Sequence, residues 1–379
     1  MQLNRVAIIG VGSTKFGNHF NRDLSSLAVE AGVKAVRDAG IHQKDIESLY
    51  LGTMSGGLFI NQEHLGSMIP DKLGFKNIPS TRVEAACASG GLALRQAYLD
   101  VASGNSDLVV AGGAEKMTDI GAHSITKALA TAADTETEGI HGATFPGLYA
   151  LMAKLHMHKY GTTEKTLAKI AVKNHANAMT NEYAQFRKKI TVEDVLNSQY
   201  IADPLKLLDA SPITDGASAI VLASEKKARE LCDTPVWIKG SGHATDSISL
   251  HDRDDLTTLK ATVIAAKKAY EQAKISARDI QLAEVHDCFT IAELLAIEDL
   301  GFVKKGKSAE FVDQGQTMPD GKIPINLSGG LKAKGHPIGA TGISQAIELV
   351  KQLKDKYELG LTHNVGGSGG TALVHVLSR

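Results

Sequence analysis

Val83-Glu84-Ala85-Ala86-Cys87-Ala88-Ser89-Gly90-Gly91 is the stretch on which the reading of this chain turns. A lone cysteine stands where an extended run passes into a helix. The helix continues through Leu92, Leu94, Ala97, Leu99 and Val101, and Gly104-Asn105 closes it. Small residues flank the cysteine on both sides, so something must approach its backbone closely. At a helix N-terminus, unpaired N–H groups and the dipole favour a thiolate, the nucleophilic form of the side chain. A buried structural cysteine is the alternative, since free cysteine is among the most buried residue types. Two distant stretches bear on the choice: His286-Asp287-Cys288-Phe289 and Gly335-His336-Pro337.

Upstream, residues 6–9 form a short branched apolar run ending in Gly10, the pattern of a buried strand. Asp23 fits an N-cap for a helix through Leu27, Val33 and Val36 that ends at Gly40, and residues 48–51 read as the next strand. Strand, helix, strand at this spacing predicts a layered α/β domain. The order then recurs. Trp237-Ile238-Lys239-Gly240-Ser241-Gly242 resembles Ile8-Ile9-Gly10-Val11-Gly12, and Asp255-Leu256-Thr257-Thr258-Leu259 resembles Asp23-Leu24-Ser25-Ser26-Leu27. The helices that follow end alike, in Ala39-Gly40-Ile41 to Asp45-Ile46 and in Ala273-Lys274-Ile275 to Asp279-Ile280. We read an internal duplication, with a period far too long for a solenoid.

The duplication carries a prediction about chemistry. After Cys87 come Ser89-Gly90-Gly91, a helix, a strand at 107–111 and Gly112-Gly113. After His336 come Gly339-Ala340-Thr341-Gly342, a helix, a strand at 360–363 and Gly366-Gly367. Cys87 and His336 therefore occupy related places, at the entrances of two equivalent helices. A pseudo-two-fold between the halves brings residues about 250 positions apart into one site. The expected units are residues 1–116 with 210–234, an inserted loop domain at 117–209, and residues 235–379. The insert shows helical stretches at 164–181 and 192–198. It also carries the Met/His run Leu151-Met152-Ala153-Lys154-Leu155-His156-Met157-His158, which reads as core packing or as a lid over a substrate channel. The turn Asp209-Ala210-Ser211-Pro212 leads to a strand at 219–223 that rejoins the first half.

Composition bounds the function. Charged residues make up 22% and net charge is −1, which gives no electrostatic case for nucleic acid or a membrane surface. No run approaches 18 apolar residues, and no signal peptide or peroxisomal address is evident, so the expected location is cytoplasmic. Three scattered cysteines make neither a disulfide framework nor a zinc site.

The Cys87 stretch, Gly335-His336-Pro337-Ile338-Gly339-Ala340 and the terminal glycine run at 366–370 resemble the thiolase superfamily in order and spacing. Most members carry Asn-Glu-Ala-Phe where this chain has His286-Asp287-Cys288-Phe289. The His-Asp-Cys-Phe form resembles the sterol-carrier-type thiolases and their archaeal and bacterial relatives. Common thiolases also place a second catalytic cysteine before the glycine run, where this chain reads His363-Asn364-Val365, and Cys288 offers the missing thiol. Taken alone, Gly-His-Pro is most often a surface turn, Cys288 a buried thiol, and His286 a cap for Thr290. The paired Cys87 favours catalysis.

The resemblance implies an α/β thiolase fold: two βαβαβαββ halves layered α/β/α/β/α, with the inserted loop domain. It implies an acetyl-CoA C-acetyltransferase, condensing two acetyl-CoA reversibly to acetoacetyl-CoA and CoA, with no cofactor beyond the CoA thioester substrates. Cys87 would be the nucleophile, and His336 would activate it and donate to the second thioester oxygen. Cys288 would be the general acid/base. His286 would help hold the enolate, and the N–H groups of Cys87 and Gly366 would form a second oxyanion hole. Ser211 would bond the pantetheine arm and His156 would line the same tunnel. A homodimer or homotetramer is implied, and beyond it a complex with HMG-CoA synthase held by a zinc-ribbon/OB-fold protein, feeding the mevalonate pathway. The rival readings are degradative thiolysis of longer 3-ketoacyl-CoA, a ketoacyl synthase, and a non-catalytic protein that binds acyl-CoA or lipid.

Overall fold

Strand β1 (Val6–Ser13) buries both of its faces, which is why it is nearly continuous in apolar residues. Val6 and Ile8 enter one apolar layer, and Ala7 and Ile9 enter another on the opposite side. Strand β4 (Leu108–Glu115) divides the same way, Val109 and Ala111 against Leu108 and Val110. A sheet whose two faces are both apolar needs a cover on each side, and the helices supply it. The computed structural model describes residues 4–379; residues 1–3, assigned above to the first half, lie outside the described residues.

Among the described residues nine strands form one mixed sheet. The others are β2 (Ser48–Gly52), β3 (Ser80–Val83), β5 (Gly216–Ser224), β6 (Val236–Thr245), β7 (Leu282–Glu284), β8 (Leu359–Gly366) and β9 (Thr371–Ser378), in the spatial order β3-β2-β4-β5-β1-β6-β9-β8-β7. The second half mirrors the first about the junction of β1 and β6. That junction is short, Ala7 opposite Trp237 and Ile8 opposite Val236, and it joins two sheets that the sequence reading kept separate. Helices α1 (Leu24–Asp38) and α2 (Leu65–Leu73) cover the outside of the first half, α1 capped by Asp23, whose carboxylate accepts the Ser26 N–H at 2.6 Å. Helix α6 (Lys260–Ala273) covers the outside of the second. Between the two halves lie α3 (Ser89–Ser103) and α8 (Thr341–Asp355), packed on each other. The α/β/α/β/α layering follows.

The second half departs from a five-strand plan. Its third strand is reduced to one parallel bridge, Ala283 with Ile325. Pro324 has no N–H to offer a ladder, and Asn326 adopts φ +58, which turns the chain off the sheet edge.

The duplicated glycines have a packing cause. A Cβ at Gly10 or Gly12 would meet the backbone of Ala35 or Ala31 in α1, and one at Gly240 or Gly242 would meet Ala269 or Ala265 in α6. Glycine sets the strand-to-helix distance in both halves. Gly242→Ala and Gly12→Ala are each expected to lower stability by about 1–3 kcal/mol, read as a fall in the urea midpoint. Gly17→Ala, where nothing stands within 4 Å of the added carbon, is expected to leave the midpoint unchanged or slightly raised. Equal behaviour of all three variants would contradict the packing argument.

Between β4 and β5 the inserted segment carries α4 (Phe145–Tyr160) and α5 (Glu164–Asn177). Leu148, Tyr149, Met152, Leu167 and Ile170 pack into the core of the second half, with Leu294 and Leu295 of α7 (Thr290–Asp299). The insert thus leaves one half and folds onto the other, which carries the start of α4 over the gap between them. Among the described residues no helix is long and apolar enough to cross a membrane.

Candidate active site

Cys87 sits on a single tight turn, Ala86–Ala88, between β3 and α3. Ala86 adopts φ +50, a left-handed conformation that costs an alanine free energy. Its neighbours hold it there: the Glu84 carboxylate accepts the Ala86 N–H, and the Ser89 hydroxyl accepts from Ala85 N–H and donates to the Ala86 carbonyl. The close approach that the small residues implied is made by the other half. A Cβ at Gly90 would meet the Gly339 carbonyl at 2.6 Å, and one at Gly342 would meet the Gly91 N–H. The two equivalent helix entrances therefore touch.

A cavity of about 190 Å³ opens at this contact. Cys87 and Ser211 enter it from the first half, Cys288, His336 and Gly367 from the second, and Tyr149 from the insert. Leu129, Phe145 and Ile338 give it apolar walls.

The hydrogen bonds assign the imidazole protons. The Thr341 hydroxyl donates to the Pro337 carbonyl at 3.0 Å and stands 2.7 Å from His336 Nδ1, so Nδ1 must be the donor there. His336 Nε2 is then a bare acceptor, buried and without a partner among the described residues. Asn364 fixes the other ring. Its Oδ1 accepts the Gly91 N–H at 3.1 Å, which turns its Nδ2 toward the Cys87 carbonyl and His286 Nδ1 at 3.0 and 3.2 Å. His286 Nδ1 accepts, so its Nε2 carries the proton, again buried and without a partner among the described residues. The two rings stand perpendicular, 5.1 Å between centroids. One offers a base and the other a donor. Burial depresses both, His336 to about 3 and His286 well below the usual imidazole range, so both are neutral.

The thiols run the other way. Burial pushes Cys87 up to about 12; the Gly367 N–H opposes that rise, while the Glu115 and Glu84 charges add to it. Burial and the neighbouring Cys87 push Cys288 up as well. This corrects the sequence expectation of a resting thiolate. The helix dipole at Cys87 is outweighed by desolvation, and the resting site holds neutral thiols and neutral imidazoles. Because the Cys87 thiol is raised, its thiolate fraction climbs with pH throughout the accessible range. Alkylation of Cys87 by iodoacetamide is therefore expected to accelerate about tenfold per pH unit up to pH 9 without levelling. A plateau below pH 8 would instead reveal a preformed thiolate–imidazolium pair.

Asp287, between His286 and Cys288, is fully buried. It accepts the Leu331 N–H at 2.7 Å and the Lys332 N–H at 3.3 Å, and the Asn174 amide at 2.7 Å. It ties the His286–Cys288 strand end to the turn that precedes His336. Burial and then the Glu293 charge raise its carboxyl to about 7.

Two sequence assignments move. His156 does not line the cavity; it is buried in the core, with Nδ1 2.7 Å from the Thr162 hydroxyl and Nε2 3.3 Å from Glu298. Met152, Ala153 and His156 of the Met/His run pack in the core, and it is the start of α4, Phe145 to Tyr149, that covers the cavity. Gly366 is not a lining residue either: Gly367, one residue further along, lines the cavity, and its N–H opposes the rise of the Cys87 thiol. Cys87, Cys288, His336 and Ser211 come together on the cavity wall; His286 is not a lining residue and joins them through the His336 ring and Asn364. Ser211 lines the wall and its N–H donates to the Cys288 carbonyl at 2.8 Å. His286 stands behind His336 rather than capping α7, since Thr290 donates instead to Asp209. Thr341, Asp287 and the linking role of Asn364 went unread in the sequence. The only signal for the first was its place five residues after His336.

Residues 6–226 match the family described as Thiolase, N-terminal domain, and residues 242–379 match Thiolase C-terminal domain-like. Over 382 residues the chain is 54% identical to the Acetyl-CoA acetyltransferase of Methanothermobacter thermautotrophicus, covering 99% of each chain. It is 51% identical over 388 residues to the Acetyl-CoA acetyltransferase of Methanocaldococcus jannaschii, covering 98% of each. Among solved structures it resembles the Ltp2-ChsH2(DUF35) aldolase, with a TM-score of 0.87 at 26% identity over 100% of this chain and 99% of that one.

Proposed function

The chain belongs to the thiolase family and is an acyltransferase; from that premise we propose that it is an acetyl-CoA C-acetyltransferase working through two thiols. The observation that carries the proposal is that Cys87, Cys288 and a bare His336 Nε2 line one cavity. Acetyl-CoA is the substrate named by the two archaeal relatives.

The proton bookkeeping closes. His336 Nε2 takes the Cys87 proton as the sulfur attacks the thioester carbonyl. Backbone N–H groups at Cys87 and Gly367 hold the oxyanion. CoA leaves as a thiolate and takes the proton of Cys288, a transfer between two thiols. Cys288, now a thiolate and a strong base because burial disfavours its charge, removes an α-proton from a second acetyl-CoA. The enolate oxygen receives N–H donors from His286 Nε2 and protonated His336. The carbanion attacks acetyl-Cys87, and the Cys87 thiolate recovers its proton from His336. Two acetyl-CoA become acetoacetyl-CoA and CoA, and each side chain regains its starting proton. Ser211 is the residue we assign to the pantetheine arm.

Condensation runs uphill, so a consumer such as HMG-CoA synthase would draw it forward, and we place the chain in such a complex with a small zinc-ribbon/OB-fold protein. The two-part name of the Ltp2-ChsH2(DUF35) aldolase supports a working partner for this fold. Strand β3 lies at a sheet edge with Thr81 exposed, which leaves room for a second copy of the chain to pair there. A second reading, thiolysis of longer 3-ketoacyl-CoA, draws on the apolar walls at Leu129, Phe145 and Ile338. CoA-dependent cleavage rates across a chain-length series separate the two. Acetoacetyl-CoA is expected to be the best substrate; a maximum at longer chains would favour the second reading.

A further inference from the structure

No motif marks Tyr149. It lies on α4 where that helix covers the cavity, 1% exposed, with its ring 4.9 Å from that of Phe289. Its hydroxyl donates to the Gly367 carbonyl at 3.1 Å, and Cys288, the chain neighbour of Phe289, lines the same cavity wall. Gly367 in turn lines the cavity with Cys87, where its N–H opposes the rise of that thiol. One phenol thus stands between the two thiols of a single cavity.

A tyrosine hydroxyl has one proton and two lone pairs, and the proton rotates to suit its partners. While Cys288 is a thiol, the phenol O–H stays on the Gly367 carbonyl. Once Cys288 is a thiolate, the better acceptor is the sulfur, because hydrogen bonds to an ionised group are about twice as strong as neutral ones. The rotation stabilises the thiolate and leaves the thiol unaffected.

We propose that Tyr149 is the residue that makes Cys288 competent as the acid/base, by swinging its hydroxyl from the Gly367 carbonyl to Cys288 Sγ whenever that sulfur gives up its proton. The inference rests on the thiolase reading above. In the step, the Cys288 S–H bond breaks and its proton passes to the leaving CoA sulfur. The phenol O–H then turns to the Cys288 sulfur without breaking. Next the α-C–H bond of the second acetyl-CoA breaks, its proton forms the Cys288 S–H again, and the phenol returns to Gly367. Tyr149 keeps its own proton throughout, consistent with a hydroxyl that burial and then Cys288 hold well above the usual range. The charged or titratable groups facing the pair are Cys87 and Asp287 around Cys288, and Cys87 and Arg253 around Tyr149. Tyr149→Phe leaves all of them in place.

Tyr149→Phe keeps the ring against Phe289, so the thermal midpoint is expected to stay within a few degrees of wild type. Three readouts are taken on both proteins: acetoacetyl-CoA thiolysis, acetylation of Cys87 by acetyl-CoA, and the pH dependence of iodoacetamide labelling at each cysteine by peptide mapping. Thiolysis is expected to fall about 10- to 100-fold. Cys288 labelling is expected to shift to higher pH, and Cys87 acetylation to keep its wild-type rate. Thiolysis and Cys288 labelling both within twofold of wild type would overturn the proposal. Equal losses in Cys87 acetylation and in thiolysis would overturn it too, by placing the effect at Gly367 and Cys87. A wild-type protein inactive on every 3-ketoacyl-CoA defeats the thiolase reading instead, and the labelling profile of Cys288 still decides the role of Tyr149.

Discussion

Cys288→Ala is expected to cut acetoacetyl-CoA formation by about 100- to 10,000-fold, the range for loss of a positioned acid/base, while Cys87 still takes up acetyl from acetyl-CoA. On the proposed mechanism the two halves of the reaction use different residues. Acetyl transfer to Cys87 needs His336 Nε2, which Thr341 holds as a bare acceptor. Removal of the α-proton needs a second base, and Cys288 is the other thiol on the cavity wall. Acylation leaves the first CoA as a thiolate able to pick up its proton from water, so the acetyl-enzyme accumulates in the variant. The expected phenotype is a stalled intermediate, seen as acetyl-Cys87 by peptide mapping. Alanine fills nearly the same space beside Phe289, and the thermal midpoint is expected to move little. If Cys288→Ala turned over at the wild-type rate, the acid/base role would pass to another group.

Cys87→Ala is expected to abolish both directions, by at least about 10,000-fold, since it removes the atom that carries the acyl group. The loss differs in kind from that at Cys288, because no acetyl-enzyme forms. The double variant Cys87→Ala/Cys288→Ala is expected to be no worse than Cys87→Ala alone, because the second thiol has nothing to act on without the first. Stopped-assay measurement of CoA release checks all three proteins. Additive losses would mean that Cys288 supports a reaction that bypasses Cys87.

Much of this arrangement was legible in the sequence because a duplication repeats its local rules. Gly10 and Gly12 recur as Gly240 and Gly242 because both strands carry a helix against their backbone. Cys87 and His336 could be placed together because each opens an equivalent helix, and α3 and α8 pack as a pair. What stayed hidden involves contacts with no local spacing. Asn364 ties Gly91, Cys87 and His286 across more than 270 residues at the first two and 78 at the third. Tyr149 reaches Gly367 from 218 residues away. Single-chain periodicity holds no trace of either. His156 misled for the opposite reason: a histidine at helical spacing looks alike whether it faces a tunnel or Glu298. The protonation state of Cys87 was misjudged because the helix entrance is visible in sequence and the depth of burial is not. The strand missing from the second half at Ile325 was lost to one proline and one left-handed asparagine at a sheet edge.

The central claim is that one thiol carries the acyl group and a second moves the proton. It is tested most directly by incubating wild type and Cys288→Ala with acetyl-CoA, then measuring acetoacetyl-CoA and mapping acetylated peptides in the same samples. The account predicts acetoacetyl-CoA from wild type, and from the variant acetyl on Cys87 with almost none of the product. Acetoacetyl-CoA formed by the variant at near the wild-type rate, or acetyl found on Cys288 of the wild type in place of Cys87, would contradict it.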